Sequence, residues 1–429
     1  MVPRFHVQNY GCRASQADGA AIESGLIREG LERAGDWAEA ELVVLNSCTV
    51  TSSADEDIRK TIHRVHRENP AARILVTGCY AQRAPEELAV IPGVYWVIGN
   101  SHKAKIPEIV SESGAYYHGQ IHIGDIFEQR DFLAAPVEEA AGDRTRPNLK
   151  IQDGCNNRCS FCIIPFVRGP SRSAPAEQVI GQVRDLAAKY REVVLSGINL
   201  GRWGREQGGT PRLADLIRRI LDETPVERVR LSSVEPMDWS DDLLGLVAES
   251  PRIAKHVHAP LQSGSDRVLR RMHRKYRPRH YEDRIRKARA WMPGAGIGAD
   301  VMTGFPGETD AEFEESRAFI ESLPFTYLHV FTYSERPGTP AAEGDQVPME
   351  VRRDRNRVLR ELAAGKNLEF RRGTIGRTLS VVTLADDALS DNFLKVELAE
   401  RRAANQLIDV KIGSVSANGL REHSALSIL

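Results

Sequence analysis

With 429 residues, 41% apolar and 27% charged, the chain has the makeup of an ordinary folded protein and length for about three domains. A formal net charge of −1 excludes a global attraction to nucleic acid, so any RNA contact has to come from local patches. No apolar run approaches the roughly 18 residues a membrane span needs, and residues 1–12 lack the apolar centre of a secretory leader, which predicts a cytoplasmic protein.

The first segment, expected as a domain over 1–125, alternates strands and helices. Short apolar runs at 4–8, 42–46, 74–77 and 94–98 predict strands, and helical patterning covers 20–32, 55–67 and 85–90. Such alternation predicts a mostly parallel sheet covered by helices, with ligands gathering beyond the carboxyl ends of the strands. Cys12, Cys48 and Cys79 each stand just past one of the first three strands. Taken singly, each reads as a buried structural thiol; their equivalent placement points to one shared site. Small or polar neighbours (Gly11, Asn46, Ser47, Thr49, Gly78) would let backbone approach a bound group closely. Beyond 113 the pattern weakens, and 137–147 reads as a polar connector.

The second segment, expected over 145–345, places strands at 149–152, 192–196, 228–232, 256–260, 298–302 and 328–333. Helices fill 175–189, 212–223, 240–249, 280–291 and 310–322. The α/β alternation predicts a partial (βα)6 TIM-like barrel, short of a full closed one, with functional loops at the strand ends. After the first strand stand Cys155, Cys159 and Cys162, spaced C-x3-C-x2-C; the later ends carry 196–201, 233–236, 262–266 and 304–308, rich in glycine and polar residues. Three thiolates can hold three irons of a four-iron cubane cluster and leave the fourth open to a substrate. Zinc would prefer four ligands in paired arms, and a disulfide framework does not suit a large chain in a reducing compartment. The two triplets account for all 6 cysteines, which predicts two clusters, each with an open iron.

Basic residues crowd 267–289; the run 270–275 is the candidate RNA contact, a solvated helix face being the alternative. A charged helix over 348–372 carries Arg352, Arg353, Arg355, Arg357 and Arg360, which intrahelical ion pairs could explain. The third segment, expected over 373–429, alternates apolar and polar residues at 377–384, 393–398 and 407–412 and predicts a small β-barrel. Phe393 is its only aromatic residue, so its composition carries no nucleic-acid signal.

The C-x3-C-x2-C triplet, Gly197-Ile-Asn-Leu-Gly201, Leu261-Gln-Ser-Gly-Ser-Asp266 and Gly304-Phe-Pro-Gly-Glu-Thr309 together resemble the radical S-adenosylmethionine methylthiotransferases. Tyr10-Gly-Cys12, Asn46-Ser-Cys-Thr-Val50 and Gly78-Cys-Tyr-Ala-Gln82 are similar to that family's first domain, and the third segment lies where its TRAM domain stands. The resemblance implies a [4Fe-4S] cluster on Cys155, Cys159 and Cys162 that binds and cleaves S-adenosylmethionine. It implies a second [4Fe-4S] cluster on Cys12, Cys48 and Cys79 that supplies sulfur. It also implies a tRNA substrate, a flavodoxin- or ferredoxin-type electron donor, a sulfur source and no membrane partner. Gly197 and Asn199 would shape the loop that receives the methionine end; Ser233, Glu235 and Gln262 would hold its carboxylate, amine or ribose. Gly304 and Gly307 would let backbone lie against the adenine, with turn geometry and strand capping as the alternative for all of these. The loops 196–201 and Leu231-Ser-Ser-Val-Glu-Pro236 most resemble the branch that converts N6-threonylcarbamoyladenosine at tRNA position 37 to its 2-methylthio derivative. Other branches act on isopentenyladenosine, usually with Gly-Gln-Asn-Val in the first loop, or on a ribosomal-protein aspartate. A non-catalytic RNA-binding protein with structural zinc is the reading from a different class. Ser15-Gln16 replaces the Asn-Gln of many relatives, and Ala259 stands where leucine is common.

Overall fold

The computed structural model describes residues 2–112, 118–129, 132, 145–208 and 212–424. Strands β1 (Arg4–Asn9), β2 (Glu32–Arg33), β3 (Leu42–Ser47), β4 (Arg73–Gly78), β5 (Val94–Gly99) and β6 (Gln120–His122) form one parallel sheet in the order β2-β1-β3-β4-β5-β6. Helices α1 (Arg13–Arg28), α2 (Ser52–Glu68), α3 (Cys79–Arg83), α4 (Pro85–Ala89) and α5 (Ile106–Glu112) connect and cover it. The central strands are buried on both faces and therefore read as continuous apolar runs rather than alternating ones. Val43 and Leu45 pack with Ile58, Ile62 and Val65 of α2, while Leu42 and Val44 pack with Ile22 and Leu26 of α1.

Helix α1 runs over Arg13–Arg28, not over the expected 20–32. Its first turns bury Ala14, Ser15, Ala17 and Gly19, small residues that pack by close approach and so leave no apolar periodicity to read. It ends early because Gly30 takes φ +85, with its N–H donating to the Ile27 carbonyl at 2.9 Å and the Leu31 N–H to the Leu26 carbonyl at 3.1 Å. That is a glycine-terminated Schellman cap. Cys12 thus stands at the N-cap position of α1. Strand β6 lies inside the stretch where the sequence pattern weakens, and most of the expected connector at 137–147 falls outside the described residues.

Next follow β7 (Asn148–Asp153), α6 (Ile164–Arg168), β8 (Arg172–Ser173), α7 (Ala176–Ala187), β9 (Glu192–Gly197), α8 (Leu213–Glu223), β10 (Arg228–Leu231) and α9 (Asp241–Glu249). The run continues with β11 (His256–His258), α10 (Asp266–Arg271), α11 (Pro278–Trp291), β12 (Gly296–Thr303), α12 (Asp310–Ser322) and β13 (Tyr327–Thr332). Strands β7, β9 and β10 pair in parallel, as do β11, β12 and β13. A parallel bridge between Val229 and Ile253, and the Val234 N–H donating to the His258 carbonyl at 3.0 Å, join the two groups. The parallel strands therefore follow chain order around an arc, with the short β8 antiparallel at one edge. Val193, Leu195, Val229, Leu231, Ile297 and Val301 point out into the helix-covered core. By the two-residue period of a strand, Glu192, Arg230, His256, His258 and Asp300 point inward.

Helix α13 (Met349–Arg372) leads to β14 (Thr378–Thr383), β15 (Ala388–Ser390), β16 (Lys395–Glu397), β17 (Leu407–Val415) and β18 (Leu420–Glu422). These close into a barrel ordered β14-β15-β16-β18-β17, filled by Val381, Val396, Val410, Ile412 and Leu420. Strands β15 and β18, three residues each, are too short to show as alternation in the sequence. Among the described residues, no helix is long and apolar enough to cross a membrane.

Gly78 shows how tightly the strand ends are built. It takes φ +98, and a Cβ there would overlap the Ser47 carbonyl and sit 2.7 Å from the Ser47 nitrogen. Gly78→Ala is therefore expected to cost about 2–4 kcal/mol, combining backbone strain with a forced shift of β3. A lowered midpoint in urea unfolding, read by circular dichroism, checks this; an unchanged midpoint would show that the strand ends yield freely.

Candidate active site

Both thiol triplets lie beyond the carboxyl ends of their strands. Ser47 and Gly78 stand side by side in the β3–β4 ladder, so Cys48 and Cys79 leave the sheet together. Asn9 pairs with Asn46, and the chain then reaches Cys12 through Gly11, which takes φ +93. A Cβ on Gly11 would lie 2.7 Å from the Cys48 Cβ and 2.9 Å from its Sγ, so glycine is what allows the Cys12 turn to close on Cys48. Cys48 and Cys79 are buried and Cys12 is exposed. Cys79 packs in a small apolar cluster with Ile163 and Val167, residues that adjoin Cys162 on and beside α6. The first triplet thus abuts the element that carries the second.

Sulfur-directed donors surround the thiols. The Asn157 N–H and Asn199 Nδ2 donate to Cys155 Sγ at 3.4 and 3.6 Å. Arg274 gives Nη1 to Cys159 Sγ at 3.3 Å and Nη2 to Glu235 at 2.6 Å. Asn100 Nδ2 reaches Cys79 Sγ at 3.6 Å while donating to the Val167 carbonyl at 2.7 Å. Burial pushes the Cys48 thiol up to about 11 and Cys162 up to about 12, with neighbouring thiols adding to the shift. Burial raises Cys155 as well, against the Asn157 and Asn199 hydrogen bonds. These thiols hold their protons until a metal displaces them.

The donor set decides between a single ion and a cluster. Around one tetrahedral zinc, sulfurs stand about 4 Å apart. Among the described residues, the group of three whose ligand atoms all fall within 4.8 Å of one another is His258, Asp300 and His329, not either cysteine triplet. Thiols set more widely, with N–H groups aimed at sulfur, fit a cubane iron–sulfur cluster. They do not fit a structural zinc.

A buried ionic seam joins the two halves of the site. Asp18 of α1 binds Lys103 at 2.9 Å, Arg168 at 3.0 Å and Lys150; Asp153 binds Lys150 and Arg168, each at 2.9 Å. All five residues are at most 6% exposed. Burial opposes the charge of Arg168, but Cys79, Asp153, Asp18 and Cys12 hold it firmly protonated. Burial likewise opposes the charge on Arg274, which Tyr276, Glu235 and Cys159 sustain.

The structure distributes the sequence-predicted residues as follows. Gly197 approaches Gln152 so closely that a Cβ would lie 2.9 Å from the Gln152 Cβ, and Gln152 Oε1 accepts the Asn199 N–H at 2.6 Å. Together they set Asn199 beside Cys155, and Glu235 reaches Cys159 through Arg274. Gln262 takes φ +66, held by its N–H to the Asp300 carbonyl at 2.8 Å and the Met302 N–H to its own carbonyl at 2.9 Å. Such a conformation is strained for a side-chain-bearing residue and is a mark of functional sites. The buried Asn199 Oδ1 and Gln262 Oε1 have no hydrogen-bond partner, as acceptors awaiting a ligand would not. Ser233 Oγ pairs with His258 Nδ1 at 2.7 Å inside the barrel. Gly304 and Gly307 both take φ +70; Gly304 lies against the Arg352 side chain and donates its N–H to Glu308 at 2.8 Å.

Arg274, Arg168 and Asn100 escaped the sequence reading because nothing local marks them. Arg274 lay hidden in the basic run 270–275, of which Arg270 and Lys275 are exposed. Arg270 binds Asp266 at 2.8 Å, Arg271 binds Glu312 at 2.7 Å and Arg274 is buried. The α13 arginines are not all intrahelical: Arg352 reaches the Tyr333 and Val347 carbonyls and Arg355 reaches Glu308 and Asp310, while Arg357 does pair with Glu361 along the helix. Phe393 is no exposed stacking platform either, since its ring lies 4.5 Å from His256 and 5.3 Å from Tyr327 at the base of the partial barrel.

Residues 149–320 match the model of the radical SAM superfamily, and residues 4–99 match that of the uncharacterized protein family UPF0004. The chain is 34% identical over 94% of its length to a threonylcarbamoyladenosine tRNA methylthiotransferase of Aquifex aeolicus, covering 99% of that protein. It is 40% identical to one of Bacillus subtilis, over 82% of this chain and 78% of that one. It is 33% identical to a tRNA-2-methylthio-N(6)-dimethylallyladenosine synthase of Syntrophomonas wolfei, over 88% and 86%. In fold it is similar to the radical S-adenosylmethionine methyltransferase TsrM of Kitasatospora setae, with a TM-score of 0.56 at 14% identity, covering 80% of this chain and 77% of that one. With the site geometry and these extended likenesses together, the chain belongs to the tRNA methylthiotransferase family of the radical S-adenosylmethionine enzymes.

Proposed function

We propose that the enzyme converts N6-threonylcarbamoyladenosine at position 37 of tRNA to its 2-methylthio derivative. The observation that carries a methylthiolation with two metal centres is the packing of Cys79 against Ile163, which sets one open triplet beside the other. Several curated relatives that span most of the chain bear the threonylcarbamoyladenosine name, which supports that substrate over the prenylated one.

When bound, a cluster on Cys155, Cys159 and Cys162 would supply an open iron and an electron for S-adenosylmethionine cleavage, and one on Cys12, Cys48 and Cys79 would supply the sulfur. The chain's own residues arrange the reactants. Asn199 and Arg274 stabilise Cys155 and Cys159 as thiolates, and Glu235 fixes Arg274 in that position. Asn199 Oδ1 and Gln262 Oε1, two buried acceptors, suit the ammonium of the methionine portion. Arg168, charged and fully enclosed, offsets the negative charge that thiolates at Cys12 and Cys79 would bring. An electron donor of the flavodoxin or ferredoxin type and a sulfur source complete the cycle.

The test is nucleoside mass spectrometry after reaction of the anaerobically reconstituted enzyme with tRNA. Conversion of threonylcarbamoyladenosine, with prenylated adenosine untouched, is expected. The reverse pattern would reassign the substrate to the dimethylallyl branch, and reaction with neither would remove tRNA position 37 as the target.

A further inference from the structure

Three adjacent strands of the partial barrel converge on a group that neither cysteine triplet uses. His258 of β11, Asp300 of β12 and His329 of β13 share the inner face, with Asp300 opposite His329 in the ladder and His258 opposite Gly298, two residues before Asp300. One ring nitrogen from each histidine and one carboxylate oxygen all lie within 4.8 Å of one another. His258 Nε2 and Asp300 Oδ1 are 3.5 Å apart. On a tetrahedral ion with bonds of about 2.1 Å, neighbouring ligand atoms stand about 3.4 Å apart, so this pair already has the separation of two ligands on one ion. His329 is the exposed member, and rotation of its side chain closes the remaining distance.

Two observations set this group apart from an ordinary ion pair. His258 is 6% exposed, and among the described residues its Nε2 has no hydrogen-bond partner, Asp300 included. An imidazolium paired with the carboxylate would make that bond; a buried ring nitrogen left without one is costly and calls for a ligand. The ring is also held from behind, by Ser233 Oγ at 2.7 Å from Nδ1. In the tautomer that donates Nδ1–H to Ser233, Nε2 presents its lone pair to Asp300 and His329, which is how metal-binding histidines are oriented. Below the group the Tyr327 ring stacks on His258 with centroids 5.8 Å apart, admitted by Gly298, where a Cβ would overlap that ring. The Tyr327 hydroxyl is taken by His256 Nε2 at 2.6 Å and does not compete as a ligand. The Asp300 carbonyl accepts the Leu261 and Gln262 N–H groups at 3.1 and 2.8 Å, which fixes the backbone that carries the carboxylate.

We propose that His258, Asp300 and His329 bind one divalent transition-metal ion, distinct from anything held by the two cysteine triplets. Two imidazoles and a carboxylate suit zinc or iron(II), whereas magnesium and calcium take oxygen ligands. Three protein ligands leave at least one position for a ligand from the barrel interior. The ion is therefore an anchoring or Lewis-acid centre, not a closed structural one. The site does not depend on which adenosine derivative the enzyme modifies.

The test uses the full-length, cluster-loaded enzyme under anaerobic conditions, with zinc chloride as the probe because zinc displaces iron(II) from nitrogen and oxygen ligands. After equilibrium dialysis, wild type is expected to hold about one zinc per chain in addition to its cluster iron. X-ray absorption at the zinc edge should show nitrogen and oxygen neighbours with imidazole scattering and no sulfur. Asp300→Asn and His329→Gln, the latter at an exposed side chain, should weaken zinc binding by roughly a hundredfold or more. Ser233→Ala, which only releases the His258 ring, should weaken it by roughly tenfold. Cluster iron and circular dichroism should match wild type in all three, which separates ligand loss from unfolding. Sulfur neighbours around the zinc would place it on cysteine and overturn the proposal. So would a wild type that holds no zinc, or Asp300→Asn and His329→Gln variants that bind it as tightly as wild type.

Discussion

Cys79→Ser is expected to halve the iron of the anaerobically reconstituted protein, from about eight to about four per chain, and to abolish methylthiolation while leaving S-adenosylmethionine cleavage in place. The residue is 2% exposed and packs on Ile163 and Val167, so a near-isosteric serine should keep the fold while removing a metal ligand. Cys162→Ser should give the opposite separation, with the same iron loss but no cleavage to 5′-deoxyadenosine. Iron analysis, visible absorbance and product chromatography read all of this on one preparation. Should Cys79→Ser retain a full complement of iron, the first triplet would not be a cluster site. The two-centre mechanism would go with it.

Asp18→Asn is expected to loosen the contact between the N-terminal sheet and the barrel. Asp18 is 1% exposed and gathers Lys103, Lys150 and Arg168; without its charge those three cations would face Asp153 alone. Breaking a buried ion group by removing one partner costs about 3–5 kcal/mol, because the remaining charges stay buried and uncompensated. The pH dependence follows from the direction of the shifts. Burial pushes the Asp18 carboxyl up, but Lys103, Lys150 and Arg168 outweigh it and hold the pKa well below the usual range. Asp153 is depressed likewise by Lys150, Arg168 and Arg172 against burial. Burial lowers Lys103 more than Asp18 lifts it, while Lys150 and Arg168, held up by the carboxylates against burial, stay charged throughout the acid range, so what acid removes is the share of the carboxylates. A depressed carboxylate lends its stability fully above its unfolded pKa of about 4 and loses it as pH falls through the folded value. Wild type should therefore exceed Asp18→Asn in urea midpoint at neutral pH, and the two should converge as the pH drops below about 4. Parallel curves across that range would show that Asp18 contributes packing and not charge.

The seam and the thiols illustrate what a linear chain can and cannot reveal. The central strands of the first two segments, the order of the layers and the two cysteine triplets were legible because each depends on neighbours in sequence: apolar runs mark strands buried on both faces, and thiols repeat at strand ends. The early start of α1 was not legible, since Ala14, Ala17 and Gly19 pack by smallness and leave no periodic signal. Arg274 looked like one more cation in a surface run, and burial beside Glu235 and Cys159 made it part of the site.

By itself the sequence determined which chemistry is available: three thiols at each of two places, no fourth ligand beside either, and loops suited to S-adenosylmethionine. Tertiary structure alone decided where those parts meet. Asp18 lies far along the chain from Lys103, Lys150 and Arg168, and only the docking of α1 against β7 brings them together. The physical reason is that burial and charge pairing are properties of the packed chain. An arginine in sequence is merely a cation, whereas in the fold it becomes a buried partner, as Arg168 does.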